Sequence, residues 1–322
     1  MVVLERARLG AGASGGAAAL LGPAMHGFTD PPAFVALARA SLTRWRALDE
    51  QWEGALGIRT LDYLVPLVDV LPESARSAPG VELLDGDGVR AVEPELAPFS
   101  AGVLFPDQAH VHPLHAAAEH ARRLGPANVA TGVEMLDVEV SGGRVRAVHT
   151  SAGPFTPGAV VFATGLAPAV AGVPQRLVKG HLVATVPAPF RLRTVVNAPD
   201  ALVVQLPDGR LVTGGTLDDG DDDPDPDPAV TGEIAARLHA LLPATTAVAV
   251  THAWCCFRPM AADGQPVIDR VTGLDDAWVT CGHYRTGILM APATGDSLAR
   301  WIGSGEVPTE VSTFGTARFA AS

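Results

Sequence analysis

The sequence predicts an α/β fold of mixed α+β character, in which an antiparallel sheet is inserted into a framework of alternating strands and helices. Residues 32–52 carry apolar side chains at helical spacing, and residues 159–163 form a fully apolar strand that a Thr-Gly pair follows. From residue 177 to residue 214, strand-like runs follow one another with turns and no helix between them, as in an antiparallel sheet. Two interleaved domains are therefore expected, one made of residues 1–55, 110–175 and 256–322, the other of residues 56–109 and 176–255.

The composition excludes several classes of protein. The chain has 322 residues, 48% of them hydrophobic, and a formal net charge of −12, which argues against a nucleic-acid partner. No window of about 18 residues is continuously apolar, so we expect no membrane span. The N-terminus lacks the basic-then-apolar order of a signal peptide, which makes the cytoplasm the expected location.

Two clusters invite a metal interpretation, and neither supports it. The acidic run at residues 218–227 lacks the glutamate that an EF-hand loop needs at its twelfth position, because Ala229 stands there. The run therefore predicts a solvated, mobile loop. Nearby histidines lack a cysteine or carboxylate to complete a ligand set, so we expect structural or solvent-facing roles and no metal. These histidines are His110, His112, His115 and His120.

A glycine-rich motif near the N-terminus is misleading. Residues 10–15 spell G-x-G-x-x-G, the dinucleotide fingerprint, which calls for an acidic residue at the end of a strand about 20 residues later. That position falls near Phe34, inside the helical run. We therefore interpret residues 2–5 as the second strand of a nucleotide-binding unit, ending in Glu5. The first strand and the true fingerprint would then lie roughly 20 to 30 residues upstream of Met1, leaving strand edges uncovered.

The most informative segment lies near the C-terminus. An apolar, strand-like run at residues 277–281 is followed by G-H-Y-R-T-G-I-L-M-A-P-A-T-G at residues 282–295 and then by a helix-like segment. A helix that begins after such a turn exposes N–H groups that suit a group gaining negative charge. Arg285 stands in this turn, and Arg258 precedes a second tight turn upstream of it.

Together these segments resemble the D-amino-acid-oxidase-like family of FAD-dependent amine oxidoreductases, and its glycine-oxidising members most. The resemblance implies a Rossmann-like FAD/NAD(P)-binding domain and an antiparallel-sheet substrate domain. It also implies that the CH–NH bond of glycine or a similar amino acid is oxidised to an imine, by hydride transfer to FAD with oxygen as acceptor. Such an imine could serve thiazole formation in thiamine biosynthesis.

Two alternatives stay open at this point. The same fold could oxidise sarcosine, a D-amino acid or proline. A chain without the fingerprint could also be a non-catalytic remnant that binds little or no flavin. The expected partner beside FAD is a small-molecule amine or amino acid. Family members are tetramers or monomers, so a homo-oligomer is one of two expectations.

The resemblance assigns substrate roles to three residues. Arg258 matches the arginine that binds the substrate carboxylate, and Arg285 matches a second active-site arginine. A planar guanidinium suits this task because it makes two parallel charge-assisted hydrogen bonds. Leu202 stands where glycine-oxidising members carry a tyrosine that bonds the carboxylate. Its loss indicates weaker carboxylate recognition, or a bulkier or less polar substrate.

The resemblance also assigns residues to FAD. Glu5 would bind the adenosine ribose, Val133 would meet adenine through its backbone, and the N–H groups around Ile288 would face the flavin pyrimidine. The full set is Glu5, Arg6, Gly12, Ser14, Ala17, Val133, Ala163, Gly165, Gly282, His283, Tyr284, Thr286, Gly287, Ile288 and Leu289.

Two positions depart from the family pattern. Residues 179–181, Lys-Gly-His, match a Lys/Arg-Gly-Gln element that opens the substrate sheet, with histidine in place of glutamine. Ala19 stands where glycine is common, so the local backbone is expected to differ there.

Overall fold

The computed structural model describes residues 1–68 and 80–319 and confirms the mixed α/β class. Its strands, in chain order, are β1 (Val3–Glu5), β2 (Leu20–Leu21), β3 (Arg59–Leu67), β4 (Glu82–Asp85), β5 (Ala101–His110), β6 (Val129–Thr131), β7 (Met135–Ser141), β8 (Arg144–Thr150), β9 (Gly153–Phe155), β10 (Val160–Gly165), β11 (Gln175–Pro187), β12 (Thr194–Ala198), β13 (Ala201–Gln205), β14 (Arg210–Gly214), β15 (Asp218–Asp219), β16 (Val250–Ala261), β17 (Val267–Arg270) and β18 (Ala277–Cys281). Its α-helices are α1 (Ala13–Gly16), α2 (Pro32–Gln51), α3 (Gly86–Val92), α4 (Pro113–Leu124), α5 (Pro228–Leu241) and α6 (Gly287–Ser304). Within the described ranges, no helix has the length and apolar character needed to cross a membrane.

Two small sheets hold parallel strands. β1 pairs with β6, and β10 pairs with β18, whose other side carries the antiparallel β17. Among the described residues, β1 and β10 each have this one partner, and Val3 and Val161 on them are 38% and 41% exposed. These apolar edges agree with the expectation of uncovered strands. Whether a further strand belongs beside them stays a prediction.

The antiparallel insert is a large sheet with the order β15-β11-β14-β13-β12-β3-β5-β2. β16 pairs with the other edge of β11, and β4 pairs with β5. The remaining three-stranded sheet, β7-β8-β9, is antiparallel, and the Gly142-Gly143 turn joins β7 to β8.

The two faces of the large sheet have different covers. Directly opposite residues of an antiparallel pair point to the same face. The register therefore places Gly180 and Leu182 of β11 and Arg258 of β16 on one side, called the front face below. Lys179 and His181 of β11 point to the other side, the back face. α5 packs on the back face through Leu238 and neighbouring side chains, whereas β2 and the segment around α1 pack on the front face.

Helices α2 and α6 pack together beside the front face. α2 buries residues at helical spacing, as its sequence predicts: Phe34, Leu37, Ala38, Ser41, Leu42 and Trp45. The indole Nε1–H of Trp45 donates to the carbonyl of Ile288 in α6 at 3.0 Å. α6 contains Pro292 four residues later. The pair fixes where the first turn of α6 lies.

The glycine-rich motif at residues 10–15 does not open a dinucleotide-binding unit. It leads into the four-residue α1, and Phe34 lies buried inside α2, so no strand ends near that position. Rejection of the literal fingerprint is thereby confirmed. The predicted division into domains stays a prediction, although β5 ends at His110 and β16 crosses the boundary expected between residues 255 and 256.

Candidate active site

A tight turn at residues 282–286 joins β18 to α6. Gly282 has a φ of +65°, and a Cβ atom there would lie 2.9 Å from the Cβ of Ala261, so the turn needs glycine. Tyr284 also adopts a positive φ, of +50°. Thr286 caps the turn by donating its hydroxyl to the carbonyl of His283 at 2.9 Å. The predicted order of strand, glycine turn and helix is confirmed, but the helix begins at Gly287 rather than after Gly295.

The first turn of α6 presents free donors. The N–H of Met290 is the first in the helix to find a backbone acceptor, the carbonyl of Thr286 at 2.8 Å. The N–H groups of Gly287, Ile288 and Leu289 have no acceptor among the described residues. They carry the positive end of an 18-residue helix. Such a group of donors suits an anion or an electron-rich ring edge.

His283 is neutral at physiological pH. Desolvation lowers the pKa of its imidazole to about 4. The side chain sits within the turn, where its backbone forms a bridge with Met260 of β16. The histidine therefore adds no positive charge beside the free N–H groups.

Arg258 lies on β16 with its side chain on the front face and 8% exposed. Its Nη1 and Nη2 donate to one carbonyl, that of Thr216, at 2.9 and 3.0 Å. Nη1 also approaches the carbonyl of Lys179 at 3.5 Å. Among the described residues, the Nε–H and the other Nη2 hydrogen have no acceptor. These two donors point the same way in a guanidinium and form a fork that fits a carboxylate.

Arg285 is placed close to Arg258 but in a different environment. It is exposed, and its guanidinium lies 5.3 Å from the ring centre of Tyr284. Burial lowers the pKa of the Arg258 guanidinium, and the positive charge of Arg285 acts in the same direction. Both arginines stay charged at physiological pH. The structure thus brings the two predicted arginines together and gives only one of them a buried position.

Two residues that sequence reasoning did not assign to the site contact Arg258. Thr216 supplies the accepting carbonyl. Gly180 lies beneath the guanidinium, since a Cβ atom there would be 1.8 Å from Nη2. The match of residues 179–181 to the Lys/Arg-Gly-Gln element was the one available signal for Gly180. Thr216 had none, because any residue type can offer a backbone carbonyl.

The predicted serine loop lies against β16. Gly12 caps α1, and Ser14 and Ala17 lie at or near the surface. Gly16 touches Cys256, because an added Cβ would be 2.5 Å from the cysteine Cβ. Trp254 donates its indole Nε1–H to the Gly16 carbonyl at 3.1 Å. The loop therefore lies against the strand that carries Arg258, and its predicted contact with the flavin stays a prediction.

Ala19 has an unusual backbone conformation for a residue that carries a side chain. It has a φ of +52°, in the left-handed region, and is 5% exposed. The alanine accepts this strained conformation at a cost of about 1 kcal/mol. Whether the backbone differs here from that of relatives with glycine stays a prediction.

The end of β10 reaches the same turn. Gly165 has a φ of +79° and its carbonyl accepts the N–H of Gly282 at 3.3 Å. An added Cβ on Gly165 would lie 3.4 Å from Pro259. Ala163, two residues earlier, is exposed. The segments predicted to flank the flavin thus meet at one place.

The predicted adenosine-binding residues also meet. The carbonyl of Glu5 accepts the N–H of Val133 at 3.0 Å, and the Glu5 carboxylate accepts the N–H of Ala7 at 2.9 Å. Arg6 is exposed beside them. Because its N–H is engaged, Val133 has only its carbonyl left for a ligand.

Leu202 shares the front face with Arg258 but lies on β13, with β14 and β11 between the two strands. It is half-buried and packs on the apolar cluster of the front face. Other half-buried members of that cluster are Leu20, Met25, Phe28, Leu61 and Trp254.

The acidic run is anchored to the back face. Asp218 Oδ2 lies 3.0 Å from Nδ1 of His181, and Asp221 Oδ2 lies 2.9 Å from Nζ of Lys179. Asp227 accepts the N–H of Ala229 at 2.7 Å and caps α5. β11 thus supplies buried partners for Asp218 and Asp221, whose own side chains are 33% and 41% exposed. The run is therefore solvated in part, as expected, and its mobility stays a prediction.

The clustered histidines have structural partners. His112 accepts the N–H of His115 at 3.3 Å, and His120 contacts the carbonyl of Ala116 at 2.7 Å. His110 is buried, and desolvation, with the charge of Arg59, lowers its pKa to about 4. The described part of the chain contains no group of three or more His, Cys, Asp or Glu placed to hold a metal ion.

Comparison with known proteins decides the family. A family model described as FAD dependent oxidoreductase matches residues 1–301. The chain belongs to this family. The resemblance seen in the sequence is therefore confirmed. FAD is the cofactor of this family.

Several known proteins are similar to this chain in sequence or fold. A glycine oxidase of Bacillus licheniformis is 29% identical over 327 residues, which cover 96% of this chain and 88% of the relative. The structure of glycine oxidase from Geobacillus kaustophilus has a TM-score of 0.88 at 25% identity and covers 98% of this chain and 90% of that one. L-Proline dehydrogenase from P. horikoshii, at 20% identity, has a TM-score of 0.88 over 99% of this chain and 91% of that one, and shows the fold alone.

The described residues fit the flavin ring of FAD, and they leave few free groups for its adenosine part. The free N–H groups of Gly287, Ile288 and Leu289 form a cradle for the edge of an electron-rich ring. The positive φ values of Gly165 and Gly282 bring the backbone close around that cradle. At the adenosine end, Glu5 keeps its second carboxylate oxygen, whereas Val133 offers one group rather than two.

Proposed function

We propose that this chain oxidises the CH–NH bond of a small amino acid, glycine or a similar one, to an imine. FAD, when bound, takes up the hydride from Cα, and oxygen is the proposed final acceptor. The observation that carries the proposal is the buried fork of Arg258, on a strand that a backbone hydrogen bond ties to the turn before the free N–H groups of α6. An imine released in this way suits a thiazole-forming step of thiamine biosynthesis, and we include that role in the proposal.

Arg258 would hold the substrate by its carboxylate. One N–H of Nη1 and one N–H of Nη2 donate to the Thr216 carbonyl. The Nε–H and the second N–H of Nη2 are the donors left for the substrate. Each hydrogen bond to a charged group contributes about 1.5–3 kcal/mol. The substrate is thereby oriented in one direction, with its amine and Cα directed away from β16.

The first turn of α6 would stabilise the negative charge that develops when the bound ring is reduced. Three N–H donors in fixed positions need no reorganisation during the reaction. His283 is neutral and neither competes for a proton nor adds charge there. A substrate that enters as the neutral amine needs no side-chain base.

The direct test is a visible absorption spectrum of the purified chain, recorded before and after anaerobic addition of glycine. We expect flavin bands that bleach on addition of glycine. Bands that persist with glycine, and with each of the other amines named here, would overturn the proposed reaction. If no bands appear even after FAD is added, the chain is the non-catalytic remnant.

A second candidate is the oxidation of an amine or amino acid with a larger apolar substituent. Leu202 brings no hydroxyl to the front face, and the half-buried side chains around it are apolar. Such a lining favours an apolar substituent over a second polar contact with the carboxylate. Anaerobic bleaching by sarcosine, proline or a D-amino acid at concentrations where glycine has no effect would favour this candidate.

A further inference from the structure

We propose that the acidic segment at residues 216–227 positions Arg258, acting through the backbone carbonyl of Thr216. This inference rests on the proposed function, because it takes Arg258 as the anchor of the substrate carboxylate. The segment begins at the edge of β11, beside the front face, and ends on the back face at α5. It therefore connects the two sides of the sheet at the point where Arg258 lies.

Gly180 provides the surface on which the guanidinium lies. A Cβ atom at this position would be 1.8 Å from Nη2, 2.4 Å from Cζ and 2.6 Å from Nη1 of Arg258. Every other residue type would push the guanidinium off the strand. Glycine here is required by the close approach of the side chain, not by an unusual backbone conformation, since its φ is not positive.

Thr216 fixes the direction in which the guanidinium points. Its carbonyl accepts from both Nη atoms of Arg258. Its hydroxyl oxygen accepts the backbone N–H of His181 at 2.9 Å and donates to Asp218 Oδ2 at 2.5 Å. These two hydrogen bonds of the side chain fix the position of the residue that carries the carbonyl. With the end-on nitrogens engaged, the Nε and Nη2 donors face the substrate.

The back face holds the rest of the segment. Lys179 and His181 are each 1% exposed. Lys179 Nζ pairs with Asp221 at 2.9 Å, and His181 Nδ1 pairs with Asp218 at 3.0 Å. His181 Nε2 accepts the backbone N–H of Asp227 at 3.1 Å. Lys179 and His181, which hold the segment on the back face, are thus the chain neighbours of Gly180, on which Arg258 lies at the front face. Residues 179–181 therefore support Arg258 from both faces of the sheet.

The test compares two variants with matched controls in the flavin-loaded enzyme. Gly180→Ala removes the support, and its control is Gly232→Ala in α5, where an added Cβ meets nothing within 4 Å. Asp218→Asn weakens the hold on Thr216, and its control is Asp219→Asn, the neighbour that pairs with exposed Arg176. The measured quantities are the dissociation constants of acetate and methylamine and the KM and kcat for glycine.

We expect Gly180→Ala to weaken acetate binding about tenfold or more and to raise KM by a similar factor, because one charge-assisted fork is misdirected. Asp218→Asn should give a smaller change of the same kind. Methylamine, which has no carboxylate, should bind both variants as it binds the wild type. Equal weakening of acetate and methylamine would overturn the proposal, as would unchanged acetate binding in both variants.

A second readout needs no flavin and no activity. In protein labelled with 15N-arginine, rotation of the Arg258 guanidinium is expected to be hindered in the wild type and freed in Gly180→Ala and Asp218→Asn. Hindered rotation that persists in both folded variants would contradict the inference. Arg258→Ala separates the two levels: if it leaves acetate binding intact, the proposed carboxylate anchor is wrong. If it abolishes acetate binding while Gly180→Ala and Asp218→Asn leave acetate binding unchanged, only the positioning role is wrong.

Discussion

The amide N–H of Tyr284 donates to the carbonyl of Pro259 at 2.8 Å. Arg258 and Arg285 are the chain neighbours of these two residues, so a single backbone hydrogen bond ties the strand that carries one arginine to the turn that carries the other. Their separation is set by main-chain geometry. The turn that opens α6 and the buried fork on β16 can therefore serve one small ligand.

Replacement of the two arginines should have unequal effects. Arg258→Lys keeps the charge but loses the buried fork, so we expect KM for glycine to rise about 30-fold or more. Arg285→Lys should change KM less than about fivefold, because the side chain is exposed. Steady-state kinetics measure both. Arg237→Lys on α5, an exposed ion-pair arginine, is the control and should be silent. Equal effects at positions 258 and 285 would refute the assignment.

Leu202→Tyr should improve glycine turnover if a missing hydroxyl limits carboxylate binding. One added hydrogen bond of about 1–1.5 kcal/mol corresponds to about a tenfold gain in kcat/KM. Leu202→Phe is the matched control, since it adds the ring without the hydroxyl. A gain in both variants would assign the effect to packing. A loss in both would favour the substrate with the larger apolar substituent.

Gly282, in the turn before α6, and Gly295, inside that helix, should respond to alanine in opposite directions. Gly282→Ala imposes a side chain on a positive φ and a close contact with Ala261, and should lower the free energy of unfolding by at least about 1 kcal/mol. Gly295→Ala lies in the exposed interior of α6 with open space around it and should raise that free energy by about 0.5–1 kcal/mol. Urea unfolding measures both changes, and a common sign would contradict the description of the turn.

The stability of the protein should fall as the pH falls from about 6.5 to 4. Burial lowers the folded-state pKa of His110 to about 4, below the unfolded value near 6.5. Between these values the unfolded chain binds a proton that the folded chain does not, so acid favours unfolding. From pH 7 to pH 5 this one group should remove about 2 kcal/mol from the free energy of unfolding.

His110→Asn should reduce that pH-dependent loss, leaving the part due to His283, whose pKa is lowered in the same direction. His252→Asn, at an exposed residue, should leave the loss unchanged. Urea titrations at pH 7 and pH 5 measure the difference. An identical loss in wild type and His110→Asn would show that His110 does not titrate in the folded state as described.

The sequence predicts best those features that depend on residues close together in the chain. The spacing of Phe34, Leu37 and Trp45 reports a buried helix face within one segment, and Gly282 reports a turn by itself. The assignment of Glu5 and Val133 to the same ligand rests on family resemblance, which already contains the fold. These predictions depend on local pattern or on known relatives.

The rest depends on contacts that no local pattern reports. Asp218 and Asp221 read as a solvated run because their buried partners, Lys179 and His181, lie about forty positions earlier in the chain. Thr216 acts through its main chain, so its residue type carries no signal. Ala19 breaks a rule of backbone propensity, and its positive φ is visible only in the structure.

Pro292 makes the opening of α6 dependent on another helix. It has no N–H to offer the carbonyl of Ile288, four residues back, and Trp45 of α2 donates to that carbonyl instead. Ser41 of α2 likewise accepts the N–H of Ala293 at 3.2 Å. The donor cradle is thus completed by a tertiary contact rather than by helix formation alone. The two helices must therefore pack together before the ligand cradle is complete. We expect the amide hydrogen of Met290 to exchange with solvent much faster in Trp45→Phe than in the wild type.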